Sequence, residues 1–183
     1  MSQGKKRYGP PPEQRLAQAR LRRTEDPPEY PGCLCETPLG PIYITEDRQG
    51  IRSLHFADGQ AVRTGQKGLY LEDARAQLAE YFAGKRRTFD LPLSTHGTPF
   101  QERVWAALRD IPYGETRCYQ QIARVIGSEQ AARAVGMANN RNPVAILTPC
   151  HRVVGKNGTL VGYAGGLRRK QYLLDLEARC AGR

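Results

Sequence analysis

The segment Thr98-Pro99-Phe100-Gln101 constrains this chain more than any other, because it specifies where a helix must begin. Threonine accepts a bond from the N–H three residues on, proline sits where the first turn needs no donor, and glutamine reaches back to close a capping box. Phe100, Val104 and Leu108 then recur at helical spacing as a buried stripe, and Ile111-Pro112-Tyr113-Gly114 stops it. What precedes position 98 has a different period. PIYITED and IRSLHF flank Arg48-Gln49-Gly50 as a β-hairpin, and LEDARAQLAEYFAGKR places Leu71, Ala74, Leu78 and Phe82 on one helical face that ends at Gly84. A short extended link, Phe89 to His96, joins the two parts. The pattern predicts an α+β chain with a flexible basic, proline-rich arm at 1–30, a small α+β domain at 31–92 and a mainly helical domain at 98–183.

Beyond the first helix, Thr116 is expected to cap a second one running through Tyr119, Ile122 and Ile126. Gly127-Ser128 makes a tight turn, and a third helix is expected from Glu129 to about Asn139, giving a helix-turn-helix. Ala131, Ala132, Ala134, Gly136 and Ala138 leave its surface nearly free of side chains, with Arg133 projecting from it. Such a surface serves either close helix packing or approach to a narrow groove. A buried strand is expected at Val144 to Leu147, and a turn at Asn157-Gly158. The final helix should run from about Leu167 to Ala178, with Lys170, Leu173, Leu174 and Glu177 on one face. A carboxylate in its last turn opposes the helix dipole, so Glu177 sits in water or is held by a partner such as His151.

The totals narrow the class. With 183 residues, 39% of them hydrophobic, the chain can bury a core, and no apolar run is long enough to span a membrane. The N-terminus lacks an apolar signal region, so a cytoplasmic protein is expected. Five cysteines, odd in number and scattered, do not make a disulfide framework, and Cys33-x-Cys35 lacks the spacer of common zinc knuckles. The net charge of +10 is uneven: seven Lys/Arg face four Asp/Glu in 1–30, eight face eight in 31–97, and thirteen face six in 98–183. A basic C-terminal half favours a polyanion, of which nucleic acid is the commonest. The loop Gly162-Tyr163-Ala164-Gly165-Gly166 lacks the context of a nucleotide-binding motif, so no such cofactor is expected.

Chemistry concentrates in Pro149-Cys150-His151-Arg152-Val153. A cysteine attacks as thiolate, and its ordinary pKa near 8.5 leaves only a few per cent ionised at neutral pH without help from a base or cation. His151 and Arg152 are both candidates. If His151 takes the proton, Cys150 should ionise below about 8.5 and the imidazolium persist above about 6.5.

Taken in order, Tyr119-Gln120-Gln121, Ala131 to Gly136, Asn142-Pro143-Val144, Pro149 to Val153, Gly162-Tyr163 and Glu177 resemble the O6-alkylguanine-DNA alkyltransferase family over roughly residues 98–178. The resemblance implies a ribonuclease-H-like α+β N-terminal domain, a helical C-terminal domain, minor-groove binding to double-stranded DNA with alkylated bases, and extrusion of the damaged nucleotide. By position it makes Cys150 the alkyl acceptor, His151 its base directly or through a water, Glu177 the carboxylate that fixes the histidine tautomer, and Asn142 a brace for the loops. Tyr119 resembles the phenol that displaces the target phosphate and bonds the departing guanine. Arg133 matches the finger that fills the vacated stack, on a helix whose Ala131, Ala132 and Gly136 approach the groove. Val153 would offer a carbonyl to the guanine amino group, and Tyr163 with the Ala164 backbone would line the alkyl pocket. The implied reaction is a single-turnover alkyl transfer without metal or cofactor, by a monomer whose cooperativity on DNA is left open.

This chain has alanine at position 164 where some members have serine. Asp47 and Arg52 stand where a zinc-binding member would need cysteine or histidine. A cysteine peptidase would need a distant histidine and an oxyanion hole. A plain helix-turn-helix regulator has no use for Cys150, His151 and Glu177. A non-catalytic alkyltransferase-like damage sensor would share helix, finger and pocket but replaces the nucleophile, which is present here.

Overall fold

The expected hairpin forms between β2 (Ile42–Asp47) and β3 (Gly50–Phe56) in the computed structural model, which describes residues 30–59, 62, 64, 65 and 67–182. The predicted arm at 1–30 lies outside the described residues except for Tyr30. β1 (Gly32–Cys35) pairs with β2 to complete a three-stranded antiparallel sheet of order β1-β2-β3. Asp47, at the hairpin turn, accepts bonds from the N–H groups of Gln49 and Gly50 at 2.8 and 3.2 Å and from the Ser94 hydroxyl at 2.6 Å. Gly50 has φ +155°, and a Cβ there would stand 2.3 Å from the Pro92 carbonyl oxygen, so the link can lie against β3 only because position 50 has no side chain.

That link covers one stretch of the β3 edge through the Ile51–Leu93 bridge, and Leu54 bridges Val144 farther along. The Leu54 N–H donates to the Pro143 carbonyl and the Ala145 N–H to the Leu54 carbonyl. The sheet edge is thereby paired rather than open. The larger apolar core is shared between the two parts of the chain: Ile42, Ile44, Leu54 and Leu78 pack with Val144, Ile146, Leu173 and Leu176.

Helix α1 (Leu71–Phe82) begins where the buried Glu46 carboxylate accepts the N–H groups of Leu69 and Tyr70, a favourable place for negative charge. Its buried face is Leu71, Ala74, Leu78 and Tyr81. Tyr81 thus takes the place that helical spacing gives to Phe82, which is only half-buried. Both lie near the same stripe, and the tyrosine turns inward because its hydroxyl finds a buried partner.

Helix α2 (Pro99–Arg109) has the predicted capping box, with Gln101 N–H to Thr98 Oγ1 at 3.3 Å and Thr98 N–H to Gln101 Oε1 at 2.8 Å. Its buried face is Val104, Trp105, Ala107 and Leu108. Phe100 stays at the margin of that cluster.

The following segments depart from expectation. Thr116 caps nothing: β4 (Arg117–Cys118) runs parallel to β5 (Val153–Val154), so the chain stays extended until Cys118, where Gln121 closes a capping box for α3 (Tyr119–Val125). The third helix, α4 (Ala132–Asn140), begins three residues late because Glu129 and Gln130 form a turn whose Glu129 carbonyl is held by Gln120 Nε2. Val144 to Leu147 is not a strand. Leu147 N–H donates to the Ala145 carbonyl across Ile146, which has φ +72°, a tight turn of the rare, strained kind. Helix α5 (Leu167–Ala181) runs three residues past the expected end to Gly182 at φ +78°, which leaves Glu177 more than a turn inside it. Its buried stripe is Lys170, Leu173, Leu176 and Glu177, with Leu174 displaced to the margin.

The capping box gives a direct stability test. Thr98→Ala should lower unfolding free energy in urea by about 1 kcal/mol with an unchanged denaturant slope, because one exposed helix-end N–H loses its acceptor. A change below about 0.3 kcal/mol would mean that water replaces the threonine fully.

Candidate active site

Cys150, His151 and Arg152 form one 3-10 turn between Pro149 and β5, and all three side chains are buried. The loop before it is braced by Asn142, whose Nδ2 donates to the Thr148 carbonyl at 2.7 Å while its Oδ1 accepts the Val144 N–H at 3.1 Å. Asn139 on α4 reaches the Cys150 carbonyl at 3.4 Å, a contact that sequence reading missed. Trp105 Nε1, donating to the Ala138 carbonyl at 2.9 Å, ties α4 to α2.

Glu177 collects the donors of this region. Its Oε1 accepts from Tyr81 Oη at 2.7 Å, from Arg152 Nη2 at 2.9 Å and lies 2.8 Å from His151 Nε2; its Oε2 accepts from Arg152 Nε at 2.8 Å and Gly114 N–H at 3.1 Å. Gly114, with φ +76°, is the one residue type that fits, since a Cβ would come within 2.8 Å of Ala181. Of the two alternatives open for Glu177, the partner-held one is realised, with His151 as one partner and Arg152 as a second. Arg152 Nη1 also donates to the Ile111 carbonyl at 2.6 Å, so this guanidinium serves the carboxylate and the backbone rather than the thiol.

Burial alone would raise the Glu177 carboxyl, yet His151 and Arg152 overcome it and hold it well below the usual range, so it is ionised. The opposite holds for the pair expected to be charged. Burial pushes the Cys150 thiol up, against the Asn142 side chain and the Lys170 ammonium, and burial pushes the His151 imidazole down despite Glu177. The resting site is neutral thiol beside neutral imidazole, which corrects the expectation of a standing thiolate. With Nε2 donating to Glu177, the lone pair lies on Nδ1, the nitrogen that can accept a proton.

Lys170 lies fully buried and donates to the carbonyls of Val153 at 2.5 Å and Val161 at 2.7 Å. Desolvation lowers it to about 8, so at neutral pH its charge still bears on Cys150. Lysine on the same helical stripe as Leu173 and Glu177 was the available signal for this role. The Val153 carbonyl expected to meet guanine therefore also carries an ammonium partner.

Tyr119 and Tyr163 both pack on the apolar cluster that contains Cys150, and burial followed by the nearby thiol raises the phenols of each. Tyr119 Oη donates to the Val161 carbonyl at 3.4 Å, and its ring lies under Gly136 of α4. Ala164 is exposed beside Tyr163. Arg133 projects into solvent from the first turn of α4, next to half-buried Ala131, Ala132 and Gly136, while Val135, Ala138 and Asn139 face inward. Close packing thus accounts for Ala138, while Ala131, Ala132 and Gly136 stay half-buried. Met137 on that helix is an apolar side chain that is 61% exposed, which the sequence did not single out. A cleft lined by Arg87, Arg109, Tyr113 and Arg152 touches the same turn but none of Cys150, Tyr119 or Tyr163, and no cysteine lines it.

Comparison with known proteins agrees with this arrangement. Residues 33–95 match the family model for the ribonuclease-like domain of 6-O-methylguanine DNA methyltransferase, and 99–179 match that for its DNA binding domain. A methylated-DNA--protein-cysteine methyltransferase of Methanosarcina acetivorans is 48% identical over 150 residues, covering 79% of this chain and 96% of the relative. The constitutive one of Bacillus subtilis is 50% identical over 151 residues, covering 78% and 92%. A crystal structure of Mycobacterium tuberculosis OGT in complex with DNA superposes with a TM-score of 0.75 at 44% identity, covering 82% of this chain and 93% of that one. With its mixed α+β fold, this chain belongs to the 6-O-methylguanine DNA methyltransferase family.

Proposed function

We propose that this protein repairs double-stranded DNA by direct reversal, moving the alkyl group of O6-alkylguanine irreversibly to Cys150. The observation that carries the reading is the buried His151–Glu177 pair next in the chain to buried Cys150: His151 Nε2 lies 2.8 Å from ionised Glu177, and Nδ1 is left without a hydrogen-bond partner among the described residues. As sulfur attacks the alkyl carbon, the S–H proton passes to His151 Nδ1, directly or through a water. The carbon–O6 bond breaks with its electron pair going to guanine, and Tyr119 supports the departing base. The product is a thioether with no easy leaving group, so each molecule acts once. The balance closes on these residues and the substrate, and invokes no metal or cofactor.

DNA is the partner, in keeping with the basic charge of 98–183 and the match to a DNA binding domain. On this reading α4 enters the minor groove with Ala131, Ala132 and Gly136 foremost, and Arg133 fills the stack when the base swings out. Val153, Tyr163 and the Ala164 backbone line the pocket that receives it. Asn142 keeps the turn in register. Residues 31–92 form the supporting domain and 98–183 the reacting one, acting as a monomer; O4-alkylthymine is a second candidate substrate. Among the described residues no helix is long and apolar enough to cross a membrane, and a cytoplasmic setting suits five unbridged cysteines.

Mass spectrometry after incubation with O6-methylguanine DNA should find one methyl group per protein, on Cys150. Cys150→Ser should abolish transfer and leave DNA binding within about twofold, since the substitution changes one buried atom. Repeated turnover, or methylation of another cysteine in its place, would defeat the mechanism.

Arg133→Ala should slow repair in duplex DNA on the order of 10- to 100-fold, the equivalent of the few kcal/mol that an unstacked step costs, while reaction with free O6-benzylguanine stays within about twofold. Equal losses on both substrates would show that Arg133 supports the fold.

Because the resting thiol is pushed up, iodoacetamide should alkylate Cys150 with a midpoint above about 8.5, and Glu177→Gln should move it higher by withdrawing support from the imidazolium. A wild-type midpoint below that value would mean that a thiolate stands ready before DNA arrives.

A further inference from the structure

We propose that Tyr81, contributed by the N-terminal half, is a positioning residue of the transfer reaction: it shares Glu177 Oε1 with His151 and thereby sets how strongly the carboxylate holds the imidazolium. The inference rests on the reading of Cys150, His151 and Glu177 as the reacting line, and extends it into a part of the chain whose sequence shows no catalytic constellation.

Tyr81 is fully buried at the end of α1, with its ring set against Phe82, Phe89 and Tyr113 at centroid distances of 5.4, 5.4 and 6.1 Å. Its hydroxyl has one partner, Glu177 Oε1, at 2.7 Å. Burial and the adjacent carboxylate raise the phenol well above its ordinary range, so it remains a donor at every working pH. Oε1 therefore takes three donors, Tyr81, His151 and Arg152, where a carboxylate oxygen has two lone pairs. The donors compete. Each bond that Tyr81 and Arg152 draw from Oε1 weakens its pull on the His151 proton, which keeps that proton on nitrogen and keeps the imidazole neutral until substrate is in place.

The other groups facing this site are accounted for. Arg152 on the 3-10 turn is a fixed charge, and Tyr113, after α2, lies under Arg152 with Arg87 over it, the two guanidinium carbons 5.6 and 5.8 Å from its ring. Burial and Cys180 raise Tyr113 to about 12, so it does not titrate in the working range. Lys170 on α5 is lowered to about 8 and its titration, together with that of Cys150, belongs to the alkaline side. The acid side is left to His151.

Three proteins differing at one atom test the idea: wild type, Tyr81→Phe, and the wild-type sequence with 3-fluorotyrosine at position 81, whose phenol is a stronger donor of the same shape. For each, the single-turnover rate with free O6-benzylguanine is followed against pH, and the His151 imidazole is titrated by nitrogen NMR. The acid midpoint and the imidazole midpoint should rise together by about half a pH unit in Tyr81→Phe and fall in the fluorotyrosine protein. Midpoints that coincide in all three, or that move in the opposite order, overturn the proposal even if Tyr81→Phe is less active, since a structural role alone changes amplitude and stability. Should Tyr81→Phe fail to fold, the fluorotyrosine protein decides by itself. Failure of Cys150 to accept the alkyl group would appear in the adduct and leave the imidazole titration standing.

Discussion

A carboxylate with no exposed atom is the interaction on which the rest depends. Removing Glu177 from water costs several kcal/mol unless the lost hydration is replaced, and five donors from three parts of the chain replace it. They come from α1, from the bend after α2, and from His151 and Arg152 of the 3-10 turn. Each of those elements is consequently fixed relative to α5, because moving any one would leave a buried charge short of a partner. The net gain in stability from such a site is small, whereas the loss on breaking it is large. Its contribution is definition of position, which a reacting turn requires.

Position also explains the protonation states. A thiolate standing at rest would be open to oxidants and stray electrophiles, and a protein that acts once has no means of recovering from such a reaction. Cys150 is 4% exposed and its thiol is pushed up by burial, so on the proposed reading charge develops only when an alkyl carbon is close enough to take it. The cost of forming imidazolium in a buried site is then met by Glu177, already ionised and already oriented. Lys170 contributes from the other side, with its ammonium anchored on the Val153 and Val161 carbonyls.

Much of this could be read from the residues. The capping box at Thr98, the hairpin around Arg48-Gln49-Gly50 and the cysteine beside histidine are local signals, and local chemistry decided them. Thr116, Glu129 and the segment 144–147 went the other way, because β4 pairing with β5, the Gln120 bond to the Glu129 carbonyl and the Leu54 bonds to Pro143 and Ala145 are contacts between parts of the chain that sequence spacing does not connect. The same cause hid Arg152 and Tyr81. An arginine beside a cysteine suggests a cation for the thiolate, and only the path of α5 shows that its guanidinium is spoken for by Glu177. Tyr81 differs from Phe82 by one position on a helix, and which of the two turns inward depends on an acceptor 96 residues away.

Continuity of backbone completes the mounting. The sheet holds the Pro143 carbonyl and the Ala145 N–H through Leu54, and the chain then passes through Ile146, a β-branched residue with φ +72° and almost no exposure, before it reaches Cys150. A conformation of that kind costs on the order of 1–3 kcal/mol and persists only where surrounding contacts over-determine it. Here they do: β3 lies on one side, Asn142 closes the loop on the other, and Ile146 itself belongs to the shared core. The strained turn therefore transmits the rigidity of the sheet to Cys150, two residues beyond Thr148. The N-terminal half reaches the 3-10 turn along two routes, this backbone route to Cys150 and the hydrogen bond from Tyr81 to Glu177, the carboxylate that His151 and Arg152 share.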